Sequence, residues 1–470
     1  MPPEKSAYAL ARYSRSPDSI VKSLEWVRGH DSQAFLESYY FQYGHASIAD
    51  LGHAIFCFEG VSELAAIEIE DEPLWDGQAK SSRYQDFSKA GAVTPPEVAG
   101  AEAEAVYIQA SQAALDRYKD LHQKLFDFLA EHHPRPEAMK PDAYRRTIAA
   151  RAYDVARYVL FLGISTNVGQ VTSIRTLEKQ MRRLGAGAYG EVREIAAEMA
   201  QACATPPACV WDAGTASEAL APTLARHADP DLGAGQARSD LAAWAASNLH
   251  AGPGADTAAS VDLVRPSDAV DEIVATLLYP ASHLPFRAIY EHVSALSGAA
   301  KREVIDLAVR GRAHRDELLR EFRSGYRFVF DIVTDAGAYR DLHRHRRCQQ
   351  FRQEYTETLG FETPAAIQEA GLESDYRQAL EAAAQARAAI AALSPQAAHY
   401  LLPFATRLRC LFKMDFAEAE YVSRVRSGVK GHFSYREIAW KMKEQMLEAE
   451  PELGRLIDAT PPWIEDALTR

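Results

Sequence analysis

Apolar residues recur at three- and four-residue spacing through residues 103–129, 144–162, 177–199, 376–393 and 398–425, the period of amphipathic helices packed on a core. Period-two or short continuous apolar runs, which mark strands, are few: 54–59, 261–264 and 328–333. This pattern predicts an α+β fold with helix in excess. Between 229 and 260 the pattern lapses into Ala, Gly, Ser and Asp, with glycines at 233, 235, 252 and 254. That stretch reads as a linker holding one short helix near 241–249, between a first unit at 1–228 and a second at 261–470.

The two units resemble each other. Arg193-Glu-Ile-Ala-Ala-Glu-Met199 matches Arg436-Glu-Ile-Ala-Trp-Lys-Met442 at five of seven positions, 243 residues apart. Upstream, Ala156-Arg-Tyr-Val-Leu160 matches Ala398-His-Tyr-Leu-Leu402 at a spacing of 242. Two matches in the same order and at nearly the same spacing point to a tandem duplication of one domain.

Composition narrows the function. At 470 residues and 47% hydrophobic, the chain is long enough for two ordinary cores. No apolar run reaches the roughly 20 residues that cross a bilayer, and residues 1–15 hold no signal-like stretch, so a cytoplasmic location with no membrane partner is expected. The five cysteines (Cys57, Cys203, Cys209, Cys348, Cys410) form no C-x-x-C pair, and neither a metal site nor a redox dithiol is expected. A net charge of -13 opposes binding to a nucleic-acid polymer.

An anionic ligand therefore needs a local basic pocket. The segment 340–352 supplies five arginines and two histidines against one acid, Asp341. Within it, Arg344-His345-Arg346 follows a strand-like run. Neighbouring side chains on a helix point about 100° apart, so the three suit enclosure of an anion such as a pyrophosphate. A solvated basic face is the other reading of such a run.

The surroundings of this triplet carry a resemblance to the flavin-dependent thymidylate synthases. That family has R-H-R followed after seven residues by S-x-R-Y, with Y-G-H-x-S and a strand ending E-G-x-S upstream. Here Tyr43-Gly44-His45-Ala46-Ser47, then Glu59-Gly60-Val61-Ser62, then Ser81-Ser82-Arg83-Tyr84 occur in the family's order. Ala156-Arg157-Tyr158-Val159-Leu160 is similar to its A-R-x-V-L, and Arg175-Thr176-Leu177 to the end of its N-A-R-S-L. The resemblance covers most of 7–200 and resumes from about 261 to 446.

Each copy departs from the pattern in a different place. The first has Asp71-Glu72-Pro73 where the family has R-H-R, inside an acidic run that opposes anion binding. The second keeps Arg344-His345-Arg346 but has Glu354, Tyr355 and Thr356 at S-x-R and Ala417 at the phosphate arginine. The resemblance implies a division of labour. Ser81, Arg83 and Arg175 would bind a nucleotide monophosphate, and Arg344, His345, Arg346, Arg426 and His432 would bind FAD. It further implies a methyltransferase-like enzyme that moves a one-carbon unit from methylenetetrahydrofolate to C5 of a uridylate (dUMP or UMP), with NADPH reducing the flavin. Family members are homotetramers with sites between subunits, so a duplicated chain would form a homodimer that is a pseudo-tetramer. No catalytic nucleophile is implied. A non-catalytic flavin or nucleotide binder, and a flavoenzyme on a different nucleotide in specialised metabolism, stay open.

Overall fold

The computed structural model describes residues 1–42, 45–208, 214, 217–250, 260–313, 316, 318–466 and 468; Tyr43, Gly44, Cys209, Gly252 and Gly254 lie outside them. Helices surround two small antiparallel sheets. β1 (His53–Ser62), β2 (Asp76–Ala79) and β3 (Ser165–Ser173) pair in the order β1-β3-β2. β4 (Val261–Val264), β5 (Phe328–Asp335), β6 (Gln349–Arg352) and β7 (Arg407–Met414) pair in the order β4-β5-β7-β6. β1, β4 and β5 contain the three expected strands.

Helices Glu104–His132 and Glu373–Ala391 fall where the apolar period puts them. The run 177–199 divides into Ile174–Gly185 and Gly190–Ala204, with Gly187 between them. The run 398–425 is not one helix. Its middle is β7, buried on both faces, and a strand buried on both faces shows no alternation to separate it from a helix. β3 escapes notice for the opposite reason: its inward positions include the polar Thr166, Gln170 and Thr172. Gln170 is satisfied inside by Trp75 Nε1, which donates to it at 2.7 Å.

The duplication is written in the backbone. At the spacing of 242, residue 160 corresponds to 402 and 162 to 404. Leu162 N–H donates to Leu402 O and Phe404 N–H to Leu160 O; likewise Gly163 donates to Tyr400 O and Ala405 to Tyr158 O. Such reciprocal bonds, with Phe161 bridging its counterpart Pro403, are the mark of a two-fold isologous contact, here within one chain. The same helix starts recur as well. Ser62 and Asp335 each accept from the N–H three residues on, and Ser173 and Asp415 do the same.

Part of the stretch read as a linker is ordered helix, Leu232–Asn248, longer than the short one expected. Its Leu241 and Trp244 join Val274, Leu277 and Phe286 in a second hydrophobic cluster laid over Val329 of β5 and Leu411 of β7. Among the described residues the first sheet carries no such layer.

Candidate functional site

A cavity of about 690 Å³ opens between the repeats. Two elements of the second repeat form its basic wall. Helix Ala336–Leu342, started by Asp335, ends just before Arg344–Arg347, so the turn into β6 projects those side chains. Helix Phe416–Ser427, started by Asp415, presents Glu418, Tyr421, Val425 and Arg426, spaced to share one face. The first repeat forms the opposite wall with Asp50, His53, Asp76, Val171 and Ser173.

Four of the five residues expected to hold the flavin meet here: Arg344, His345, Arg346 and Arg426. Arg344 is half-buried and has no hydrogen bond or ion pair among the described residues. Its charge is felt by the buried Glu63 and the half-buried Asp341. Arg346 pairs with Asp76 across the cavity at 2.7 Å. Arg426 Nε donates to His345 Nε2 at 2.7 Å, and Glu418 stands 3.4 Å from His345 Nδ1. Burial and the adjacent Arg426 hold His345 below its ordinary pKa against the pull of Glu418, so the ring is neutral at pH 7.

His432 is not brought to the cavity. It is fully buried, its Nε2 lies 3.0 Å from Asp154 O, and its Nδ1 accepts from Ser434 N to start helix Phe433–Ala449. Burial, with Arg157 and Arg83 nearby, keeps it well below its ordinary pKa. That capping role accounts for its position.

Nor are Ser81, Arg83 and Arg175 gathered into one cavity. Arg83 is buried between the repeats: Nε donates to Asp154 at 2.8 Å, Nη1 to Tyr435 Oη at 2.8 Å, and Nη2 to Lys430 O at 3.1 Å. Burial works against its charge, but Asp154 more than compensates and raises its pKa. Ser81 Oγ accepts from the Arg83 amide at 3.3 Å. Arg175 pairs instead with Asp50, on the cavity wall, at 2.9 Å.

Beside Arg83 lies a buried ionic centre that sequence reasoning missed. Ser82 Oγ accepts from Arg340 at 3.0 Å and from Arg157 at 3.5 Å; Arg340 pairs with Glu63 at 2.7 Å and Arg157 with Asp341 at 3.5 Å. The available signal was an arginine inside the apolar run 155–162, whose burial demands a partner. At the positions matching R-H-R, the first repeat's acids are also paired. Asp71 meets Arg320 at 2.6 Å and Glu72 meets Arg183 at 2.8 Å, which closes this place to an anion.

Comparison with known proteins agrees with the two-unit organisation. The chain is 25% identical to a UPF0159 protein of Chlamydia muridarum over 87% of its own length and 77% of that protein's. It is 24% identical to the UPF0159 protein Ta1429 of Thermoplasma acidophilum, over 95% and 93%. Among solved structures, a flavin-dependent thymidylate synthase of Helicobacter pylori complexed with FAD and dUMP matches at 15% identity, over 43% of this chain and 89% of that one, with a TM-score of 0.29. A UMP/dUMP methylase of Streptomyces cacaoi bound with 5-Br dUMP matches at 14%, over 47% and 88%, with a TM-score of 0.30. Overlays that loose carry no weight. The sequence model of one family, by contrast, matches residues 1–206 and again 287–452, one segment in each repeat and together well over half the chain. The chain thus belongs to the thymidylate synthase complementing protein family, with the family's domain present twice.

Proposed function

We propose that this chain is a flavin-dependent, thymidylate-synthase-like methyltransferase that holds FAD in the cavity between its repeats and acts on a uridylate. The observation that carries the reading is Arg344: a half-buried guanidinium with no hydrogen bond or ion pair among the described residues, lining a cavity it shares with Arg346 and Arg426. An unpaired cation so placed is stabilised by an anion, and a dinucleotide's pyrophosphate supplies one. The cavity falls in the size range of small-molecule sites.

Arg344 and Arg346 would hold the pyrophosphate, and Arg426 would present its terminal amino groups beside them. FAD, when bound and reduced by NADPH, supplies the hydride for a carbon delivered by methylenetetrahydrofolate to C5 of dUMP or UMP. The chain itself binds, orients and excludes water. Family resemblance assigns the nucleotide to Ser81, Arg83 and Arg175, which requires Arg83 to exchange Asp154 for phosphate. A second copy of the chain, laid on the uncovered face of the first sheet, would complete a pseudo-tetramer.

The locked state of Arg83 favours a second reading, a flavin-binding homologue that does not methylate dUMP. Tritium release from 5-tritiated dUMP, in the presence of methylenetetrahydrofolate and NADPH, separates the two. For the flavin itself, Arg344→Ala/Arg346→Ala is expected to lower FAD affinity roughly a hundredfold or more, from two lost charge-assisted contacts. The exposed pair Arg145→Ala/Arg146→Ala removes the same charge elsewhere and leaves binding unchanged. Equal FAD titrations for both double variants would refute the site.

A further inference from the structure

We infer that Glu418 is a positioning residue for this cavity: it fixes the tautomer of His345 and thereby the direction in which Arg426 points. The inference rests on the flavin reading above only for its ligand. Its geometry is independent of that.

Arg426 Nε–H is a donor only, and it lies 2.7 Å from His345 Nε2. Nε2 must therefore be bare. The ring, buried and neutral, carries its proton on Nδ1, which faces Glu418 Oε1 at 3.4 Å. An ionised carboxylate only accepts, so Glu418 favours this tautomer over the other. The reverse tautomer would set an N–H on Nε2 against the N–H of Arg426. With Nε engaged, the two terminal amino groups of Arg426 remain for the cavity, which the residue lines.

Other neighbours hold the arrangement without deciding it. Tyr421 meets the imidazole edge-on at 5.8 Å. Cys348 Sγ and Gln350 Nε2 both donate to His345 O, which anchors the backbone but does not touch the ring nitrogens. Of the charged groups nearby, Arg347 Nε is 4.0 Å from Glu418 and mostly exposed, and Arg344 and Arg346 flank His345 in sequence. Glu418, Tyr421 and Arg426 all ride on helix Phe416–Ser427, so one rigid element carries both ends of the relay. The first repeat has none of it. At the positions of Glu418, His345 and Arg426 it has Thr176, Glu72 and Leu184.

The test begins with the protein alone. The ¹⁵N pattern of the His345 ring in the full-length wild type, assigned with His345→Gln, should show Nδ1 protonated and Nε2 bare. A ring protonated on Nε2 overturns the inference, whatever the flavin does. Glu418→Gln then removes the tautomer bias at constant size, because a side-chain amide can donate as well as accept. It should mix the two ring tautomers and weaken FAD about five- to tenfold, with an unchanged melting temperature. The wild type should also lose FAD affinity as pH falls through the pKa of His345, since a protonated Nε2 can no longer accept from Arg426. Glu418→Gln should blunt that pH dependence. FAD binding equal to wild type in Glu418→Gln, at every pH, likewise overturns it. If the tautomer is as stated but wild type binds no FAD at all, the flavin reading fails and the Glu418 relay stands.

Discussion

The three strands of the first sheet repeat three of the second sheet's four, β5-β7-β6, but the two sheets meet different surroundings. By strand register, Ile55 of the first sheet occupies the place of Val329 in the second, because Ile55 pairs with Val171 and Val329 with Lys413, residues 242 apart. Val329 is fully buried under the helices of 232–309, whereas Ile55 is 71% exposed. The segment 232–309 thus does for the second sheet what nothing among the described residues does for the first. The second repeat carries both the cover and the basic triplet, and the first an open face beside the cavity.

The largest expected effect breaks that contrast directly. Val329→Asp places a carboxylate in a buried layer where the one cation opposite it, Lys413, is already held by Glu272, and should destabilise the fold by about 4 kcal/mol or more, or prevent folding. Ile55→Asp should change the stability of a single chain by less than about 0.5 kcal/mol. If the second copy sits on this face, Ile55→Asp also shifts the protein from dimer to monomer in light scattering at micromolar concentration. A monomeric wild type removes the two-fold assembly.

Next comes Arg83. Its partners Tyr435 and Lys430 belong to the second repeat, and Asp154 to the first, so it ties the copies together. The second repeat has Thr356 at that position, partly buried and bonded to the nearby Thr358. Arg83→Ala is expected to destabilise by about 3 kcal/mol in urea melts, since it takes from the buried Asp154 its guanidinium partner. Thr356→Ala should stay within about 0.5 kcal/mol. Restoring much of the loss in Arg83→Ala/Asp154→Ala would mark the pair as structural; a stable Arg83→Ala that has lost dUMP binding would return Arg83 to the nucleotide.

How far these differences could be read from sequence varied with the physics behind them. The duplication was legible because apolar contacts at the two-fold, such as Tyr158 and Tyr400, constrain residue type at a fixed spacing. Strands 54–59, 261–264 and 328–333 were legible from short apolar runs, while β3 hid behind inward-facing Thr and Gln. Arg344, His345 and Arg346 stood out because charge density in one segment is a one-dimensional signal, whereas Arg426, far along the chain, was expected only from the family resemblance. The acidic wall from Asp50 and Asp76, and the pairing of Arg83 with Asp154, are contacts between distant segments, and no local pattern announces them. His432 was read as a ligand from resemblance, yet in the fold its neighbours make it a helix cap.

His399 tests the comparison through pH. Its counterpart at the spacing of 242 is Arg157, always charged, whereas burial together with Arg352 and Arg387 lowers His399 from 6.5 to about 4. With the folded value depressed, the unfolded chain takes up the proton first as pH falls. The stabilising contribution is therefore complete above about 6.5 and lost progressively toward pH 4, reaching about 3 kcal/mol at about 1.4 kcal/mol per pH unit. His399→Gln does not titrate there. Urea melts between pH 7.5 and 4 should show wild type losing ground to this variant as the pH drops, and a constant gap would mean that His399 takes up its proton as readily in the fold as in the unfolded chain.

The smallest effect concerns a residue that one repeat has and the other lacks. β1 and β3 slip register between Glu59 and Val61, with Gly60 as the extra residue of a β-bulge, whereas β5 and β7 pair without interruption from Phe328 to Asp335. Gly60 sits at a φ of 67°, in the left-handed region that strains any residue with a Cβ. Space is not the obstacle, because a Cβ built there meets nothing within 4 Å. Its amide donates to Asn167 Oδ1 at 3.1 Å, which holds the bulge in place. Gly60→Ala should therefore destabilise by about 1 kcal/mol through backbone strain alone, and Gly60→Asn by less, since Asn tolerates this conformation better than Ala. The ranking Gly, Asn, Ala in urea midpoints is the signature of a left-handed bulge. Equal midpoints for all three would show that the first repeat can pair its strands as the second does, and that the bulge is an accident of sequence without structural consequence.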